Sequence, residues 1–304
     1  MKKVLVLYYS QSGQLRDVLA SIIAPLEEST EIDCDWRPLE PVEPYPYPWP
    51  FYAFFNAFPE AVNLEGCPVR EVDMAADYDL IVLGYTVWFL SPSIPITGFL
   101  QSAQAQTLFQ GKPVITVIAC RDMWLMAQEK MKGLLEDLGA RLLDNVVLTD
   151  QGDSLYTFVT TPRWLLTGKK EAFWGFPRAG IAAADIAAAF RFGRRLVAAL
   201  RDNLELGEKP LLGKLDAVNV NGKLIASERI AQRSFMIWSR LIKQAGAAAG
   251  TTGRNLVITI YFVFLLLMIV TVVPLNILLR RLIYPFRKTA IDQAVAEYEQ
   301  PSGR

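Results

Sequence analysis

The sequence predicts an α/β fold built on a doubly wound, parallel five-stranded sheet, with a C-terminal hydrophobic membrane helix. Two observations lead to this prediction. In the first 200 residues, short continuous apolar runs alternate with longer segments of helical spacing, as in strands that are buried on both faces and joined by crossover helices. Near the C-terminus, the 25 residues from Asn255 to Leu279 contain no charged side chain.

Each element of the sheet is recognised by its own pattern. Continuous apolar runs bounded by polar or turn residues predict five strands, at Lys2–Tyr8, Glu31–Trp36, Asp79–Gly84, Pro113–Ala119 and Arg141–Leu148. Apolar residues at helical spacing predict helices at Gln14–Leu26, Pro95–Gln104, Met123–Leu138 and Gly180–Leu206. Because helices of ten or more residues separate the strands, the sheet is expected to be parallel, within a domain covering residues 1–206.

Two insertions, residues 38–68 and 150–177, interrupt this pattern. The first has five prolines between Pro41 and Pro50, which preclude a regular helix, followed by an exposed-looking aromatic cluster at Phe51–Phe58. The second carries a further aromatic group at Phe173–Phe176. Both are expected to be long and irregular. Their rings could line a pocket for a hydrophobic, acyl-chain substrate or contact a membrane, or they could simply cover the edge of the sheet.

The C-terminal third divides into residues 207–250, a linker with an amphipathic segment, residues 251–284, a membrane segment, and residues 285–304, a polar tail. As a helix, the uncharged run is about 37 Å long, enough to cross a hydrocarbon core of ~30 Å. A long buried core helix is the alternative. Because Pro274 could kink the helix, the sequence leaves open whether it crosses the membrane or enters and returns on the same side. Basic residues on both flanks leave its orientation open. The segment Ile230–Gln244 fits an interfacial helix or one packed on the domain.

Composition excludes several functions. Lys and Arg together number 31, as do Asp and Glu, so the chain lacks the basic excess of a general nucleic-acid binder. Histidine is absent, which excludes a Ser-His-Asp triad and His-ligated zinc. Cys34, Cys67 and Cys120 are widely spaced, so no metal site is expected. No export signal is recognisable at the N-terminus, and the globular domain is expected on the cytoplasmic side of the cell inner membrane.

The loops after strands one, three and four carry the predicted site, because ligands of such sheets bind beyond the carboxyl ends of the strands. After strand one, hydroxyls, a glycine and amides at a helix N-terminus form a cradle for one phosphate. These predicted cofactor-binding residues are Ser10, Gln11, Ser12, Gly13, Gln14 and Leu15. The loop has neither the Gly-Lys-Ser/Thr of a P-loop nor a dinucleotide glycine pattern.

The other two loops combine rings with polar groups. Aromatic and apolar residues there could cover a flat ring while loop amides meet its polar edge. The further predicted cofactor-binding residues are Thr86, Val87, Trp88, Phe89, Cys120, Arg121, Met123 and Trp124. In a chain without histidine, Tyr85, Arg121 and Asp122 are the candidate catalytic residues, as acid, base or oxyanion-binding groups.

The segment VLVLYYSQSGQ resembles the start of flavodoxin-like FMN proteins, whose phosphate loop reads Ser/Thr-x-Ser/Thr-Gly-x-Thr/Asn. Ser10, Ser12 and Gly13 match, whereas Leu15 replaces the final hydroxyl or amide and removes one hydrogen bond to phosphate. The segment YDLIVLGYTVWFLSPSIPI is similar to the second loop of flavin reductases of this class. The resemblance covers roughly residues 1–200 and implies a flavodoxin-like fold with FMN as cofactor, leaving NAD(P)H open as electron donor.

More narrowly, the flavodoxin-like start, the CRDMW segment and the hydrophobic C-terminal extension resemble proteins labelled dialkylresorcinol condensing enzymes. Three hypotheses follow. The first is a membrane-associated FMN oxidoreductase acting on a quinone-like or polyketide/resorcinol-type lipid. The second is a condensing or aromatising enzyme that uses the fold without redox flavin. The third is a non-enzymatic membrane adaptor. The expected partners are a hydrophobic small molecule and the lipid bilayer, not nucleic acid, with a homo-oligomer left open.

Overall fold

The computed structural model describes residues 1–74, 77–213 and 215–300, and it confirms the predicted parallel five-stranded sheet. The strands of this sheet are β1 (Lys2–Tyr8), β2 (Ile32–Pro38), β3 (Leu80–Tyr85), β6 (Pro113–Cys120) and β7 (Arg141–Thr149). A two-stranded antiparallel ribbon, β4 (Val87–Trp88) with β5 (Ser91–Pro92), follows β3 directly. The order β2-β1-β3-β6-β7, with every pair parallel, is the flavodoxin-like order.

Helices cover both faces of the sheet. Among the described residues up to 201, the helices are α1 (Gln14–Glu27), α2 (Phe51–Asn56), α3 (Phe58–Val62), α4 (Ile94–Leu100), α5 (Ala103–Phe109), α6 (Leu125–Asp137), α7 (Thr157–Thr167), α8 (Ala183–Ala188) and α9 (Phe190–Arg201). The single helix predicted over residues 95–104 is thus two helices. The long helix predicted over residues 180–206 is divided into α8, α9 and a 3-10 turn at Leu204–Leu206.

Two apolar cores follow from the alternation of side chains along the strands. Val4 and Val6 face α1 and α9, whereas Leu5 and Leu7 face the opposite core, which α4, α5 and α6 cover. Helix α9 approaches α1 so closely that a Cβ at Gly193 would lie 1.9 Å from the carbonyl oxygen of Ile22. Glycine at that position therefore permits the packing of α1 on α9.

The two insertions are not irregular throughout, which corrects that expectation. No helix forms between Pro41 and Pro50, as predicted, but the aromatic part that follows forms α2 and α3. Phe55 and Phe58 are buried against helices from the C-terminal third, so the cluster is not exposed as the sequence suggested. The second insertion contains the 11-residue helix α7.

The C-terminal third begins with α10 (Ile225–Ala245), which packs on α3, α6 and α11 while leaving Ile230, Ile237 and Leu241 exposed. Its packing on the domain favours that alternative over a purely interfacial helix. A helical stretch follows, formed by α11 (Thr252–Leu267), a π-helical segment (Met268–Val272) and α12 (Val273–Tyr298). Of the predicted polar tail, residues 301–304 lie outside the described part of the chain.

The stretch Thr252–Val272 is the one helix, among the described residues, that is long and apolar enough to cross a membrane. Only 11% of its most apolar window is buried within the protein. The alternative of a buried core helix is therefore wrong. Leu256, Ile260, Val263 and Val270 are each at least half exposed, so apolar side chains lie on the surface along this helix.

Candidate functional site

The crevice at the carboxyl ends of β1 and β3 is the topological switch point of the sheet, where the strand order reverses. Beyond it, the two strands stay adjacent, since the backbone N–H of Tyr9 donates to the carbonyl oxygen of Gly84 over 3.3 Å. The rings of Tyr9 and Trp88 meet edge to face, with centroids 6.0 Å apart. The structure therefore brings the first two predicted loops together.

The loop after β1 leads into the N-terminus of α1, where the sequence predicts an anion cradle. Gly13 caps α1 in the left-handed conformation, with φ of 84°, which favours glycine. Its carbonyl accepts the N–H of Asp17 (3.1 Å), and Ser10 Oγ accepts the N–H of Arg16 (3.4 Å). Helix geometry leaves the amides of Gln14 and Leu15 without intrahelical acceptors, so they can bind an anion at the positive end of the helix dipole.

Some side chains of this loop are free to contact a ligand, and others hold the loop against the rest of the domain. Ser12 is exposed beside the amides, whereas Leu15 is buried in the core, so Leu15 can offer only its backbone N–H to an anion. Gln11 is used by the first insertion, donating to the carbonyl oxygen of Pro46 (2.8 Å) and accepting from Trp49 Nε1 (2.9 Å). Gln14 packs closely against Gly180.

The loop after β3 presents rings on a tight backbone. Trp88 contacts Tyr9, Tyr45 and Trp49 edge to face, and both Trp88 and Phe89 remain partly exposed. The hydroxyl Oγ1 of Thr86 is buried and, within the described chain, has no hydrogen-bond partner. An unpaired buried hydroxyl at the switch point fits a polar group of a ligand.

The loop after β6 places its charged residues in fixed positions. Arg121 Nε donates to Thr157 Oγ1 (2.8 Å), and its guanidinium lies 4.1 Å from the ring centre of Phe158. Asp122 accepts from the backbone N–H of Met123 and from Ser154 Oγ, both at 2.8 Å. Burial lowers the pKa of Arg121 from its ordinary value. These contacts fasten the loop to the second insertion.

Two predicted residues, Tyr85 and Trp124, lie in the core instead of lining the crevice. Tyr85 is fully buried; its hydroxyl donates to Gln128 Oε1 (2.7 Å), and burial raises its pKa well above the ordinary range. Trp124 is 3% exposed and packs within the core on the α6 side of the sheet. Cys120 and Met123 are half-buried at the edge of that core. Tyr85 and Trp124 are therefore placed to support the loops from below.

Asp150, which the sequence interpretation missed, joins the first and third loops. Its carboxylate accepts the backbone N–H groups of Gly152 (2.8 Å) and Gly180 (2.5 Å). Its own N–H donates to the carbonyl oxygens of Cys120 and Arg121. Burial raises the pKa of Asp150, a shift that those two amides and Arg121 oppose. Since Gly180 also touches Gln14, Asp150 connects the loop after β6 to the start of α1.

Glu228 on α10 is a second buried carboxyl near the third loop. It is 1% exposed, and its Oε1 accepts the backbone N–H of Met126 (2.7 Å) in the first turn of α6. Burial raises its pKa to about 8. Glu228 comes from a helix about one hundred residues further along the chain, so no local sequence pattern indicated it.

We expect Glu228 to make stability fall as pH rises. Its pKa is higher in the folded chain, about 8, than its ordinary value of 4.5, so between these values the folded state binds more protons. The slope reaches about 1.4 kcal/mol per pH unit for one proton. Glu228→Gln keeps an acceptor for Met126 and should flatten the dependence of the melting temperature on pH between 5 and 8. Glu129→Gln, on the exposed face of α6, is the control; equal slopes for Glu228→Gln and wild type would refute this role.

One cavity lies within the second insertion, and another adjoins the loop after β6. One, of about 650 Å³, is an open cleft in the second insertion, lined by Tyr156, Phe173, Trp174 and Phe176 among others. Trp174 is 93% exposed at the border of this cleft, and the substrate pocket remains a prediction. The other, of about 510 Å³, is lined by Asp122 together with residues of the 219–223 segment and of α12. Residues of the C-terminal third thus line a cavity beside the loop after β6.

Comparison of the chain with protein-family models and with curated proteins gave no match. Solved structures similar to it include a flavoprotein from Lactobacillus acidophilus NCFM in complex with FMN, at 20% identity over 48% of this chain and 93% of that one, with a TM-score of 0.39. Oxidised flavodoxin 1 from Bacillus cereus is 15% identical over 65% of this chain and 98% of that one, with a TM-score of 0.36. A flavodoxin from the domain Archaea is 12% identical over 66% and 99%, with a TM-score of 0.34.

The flavodoxin-like fold is defined by the strand order of this chain's own sheet. No cluster of three metal-ligating side chains occurs among residues 1–74, 77–213 and 215–300.

Proposed function

We propose that this chain is a membrane-associated, flavodoxin-like oxidoreductase that binds FMN in the crevice between the ends of β1 and β3. The observation that carries the proposal is the cradle at Ser10–Gly13, where a left-handed glycine caps α1 at the switch point. One such cradle suits the single phosphate of a mononucleotide.

The residues around the cradle fit that cofactor. The amides of Gln14 and Leu15 and the hydroxyls of Ser10 and Ser12 would hold the phosphate, with one hydroxyl fewer than the flavodoxin pattern because Leu15 is buried. The partly exposed rings of Trp88 and Phe89 would contact the flavin, and the unpaired hydroxyl of Thr86 would meet its polar atoms. When bound, FMN would supply one- or two-electron transfer.

The substrate we propose is a hydrophobic, quinone-like or resorcinol-type lipid. The open cleft beside Phe173–Phe176 and the exposed apolar helix Thr252–Val272 support an apolar reactant that arrives from a bilayer. The narrower hypothesis, a dialkylresorcinol condensing enzyme, rests on the sequence resemblance. If the chain is such a condensing enzyme and uses no redox flavin, Arg121 and Asp122 are the candidate acid–base groups. If it is a non-enzymatic adaptor, it would bind neither flavin nor a lipid substrate.

Membrane association is expected to survive cell lysis. Full-length protein should sediment with membranes in the absence of detergent and move to the supernatant when a mild detergent is added, because apolar side chains are exposed along the helix that follows Arg254. Quantitative recovery in the detergent-free soluble fraction would contradict the membrane part of the proposal. Purified protein that carries no flavin and takes up none would contradict the cofactor part.

A further inference from the structure

The apolar helical stretch is tied to the globular domain at its beginning. Arg254, in the first turn of α11, is fully buried, and its Nη2 donates to both carboxylate oxygens of Glu60 (2.9 and 2.8 Å) and to the carbonyl oxygen of Asn56 (2.7 Å). One turn later, the hydroxyl groups of Thr259 and Tyr52 lie 3.2 Å apart. The start of α11 is therefore fixed against the first insertion.

The end of the same stretch also returns to the domain. Arg229, near the start of α10, donates from Nη2 to the hydroxyl of Tyr298 over 2.9 Å. A Cβ built at Gly222 would lie 2.8 Å from a methyl group of Val295 and equally close to one of Ile291. Ala294, Val295 and Tyr298 pack against the apolar core on the α6 side of the sheet.

These contacts are incompatible with a straight helix. Tyr261 touches Phe235, with ring centroids 6.4 Å apart, and Arg229 lies only six residues from Phe235 on the same helix. Along α10, the six residues from Phe235 to Arg229 rise about 9 Å. If the backbones of each contacting pair, Tyr261 with Phe235 and Arg229 with Tyr298, are about 15 Å apart, then Tyr261 and Tyr298 are at most about 40 Å apart. A straight helix would separate them by about 55 Å. The helix therefore bends between these two residues, a stretch that contains the π-helical segment Met268–Val272.

We infer that the uncharged stretch enters one leaflet of a membrane and returns to the face that carries the globular domain, instead of crossing. This rests on the membrane association proposed above. A crossing helix would carry Tyr298 beyond about 30 Å of hydrocarbon, whereas its contact with Arg229 holds it on the domain side. A bent run of 25 uncharged residues descends to about half that depth before it returns.

The charges that flank the apolar stretch agree with a re-entrant helix. Arg240 and Lys243 precede it, and Arg280, Arg281, Arg287 and Lys288 follow it in the sequence. For a crossing helix, basic residues on both flanks leave the orientation undecided. For a helix that enters and leaves through the same leaflet, both basic flanks lie at one surface, where they can attract anionic lipid headgroups together.

A disulfide in the full-length, membrane-bound protein tests the bend. Because a Cβ at residue 222 lies beside the side chain of residue 295, Gly222→Cys combined with Val295→Cys should cross-link on mild oxidation. Gly222→Cys combined with Ala248→Cys is the control; residue 248 adjoins the opposite end of α10, and this pair should stay reduced. Efficient linkage of the control pair, or none in the first pair, would overturn the bent helix.

The side of the membrane is tested by labelling. In chains whose native cysteines are replaced by serine, Ala248→Cys before the apolar stretch and Ala290→Cys after it should both react with an impermeant maleimide from the same face of sealed, oriented vesicles. Reaction from opposite faces would overturn the inference. If the protein instead stays in the soluble fraction while residues 222 and 295 still cross-link, the bend stands and both membrane association and leaflet entry fail.

Discussion

Replacing Ser12 with glutamate should lower the affinity for FMN by about a thousandfold. The exposed Ser12 side chain adjoins the free amides at the start of α1, so the new carboxylate would face the phosphate. Two unit charges about 4 Å apart in a partly solvated site repel by about 4 kcal/mol, which corresponds to that loss. The change should be visible in a titration of the purified apoprotein that is followed by quenching of FMN fluorescence.

The matched variant Ser12→Ala removes one hydroxyl without adding charge and should cost about tenfold or less, as expected for one hydrogen bond. Both variants should retain the melting temperature of the wild type, because Ser12 has no buried contact. If the glutamate variant bound FMN as well as wild type, the phosphate would have to lie elsewhere, and the assignment of the cradle would fail.

Replacing Arg254 with leucine should destabilise the attachment of the apolar helix by about 3 kcal/mol, the lower end of the usual cost of removing one partner of a buried ion pair, because the Glu60 side chain is 28% exposed. Arg254 is fully buried, and its loss leaves the carboxylate of Glu60 and the carbonyl of Asn56 without their donor. Thermal unfolding in detergent should show a lower melting temperature, and the link at residues 246–251 should become more sensitive to protease.

The control for Arg254 is Lys243→Ala, which breaks the more exposed ion pair of Lys243 with Glu65, between α10 and the segment that follows α3. Such pairs contribute ~1 kcal/mol or less. The double change of Arg254 and Glu60 to leucine should recover part of the lost stability, because no unpaired charge is then left. Equal effects of Arg254→Leu and Lys243→Ala would show that the buried pair does not hold the helix.

The strands were predictable because each is a continuous apolar run that is buried on both faces. Each observed strand of the main sheet lies within two residues of its predicted bounds, and the loop after β1 could be recognised by its serines and Gly13. A continuous apolar run does not indicate toward which side of the sheet its last side chain points. For this reason the sequence predicts Tyr85 in the crevice, whereas the structure buries it in the core.

Contacts between distant segments were not predictable from local patterns. Asp150 and Glu228 are single carboxyls in unpatterned surroundings, and only the fold shows that each accepts amide hydrogens from a remote segment. The aromatic run at Phe51–Phe58 is suitable both for an open pocket and for a packed interface. The choice between them depends on Tyr261 and Ile258, about two hundred residues away, which bury Phe55 and Phe58.

A direct titration of the full-length wild-type protein in detergent tests whether the crevice between β1 and β3 binds FMN. Addition of FMN should quench flavin fluorescence and shift the visible flavin bands to saturation at one FMN per chain. FAD should bind more weakly and NAD not at all, because the loop after β1 cradles one phosphate. Unchanged fluorescence and absorption at high protein concentration would show that the crevice does not bind FMN.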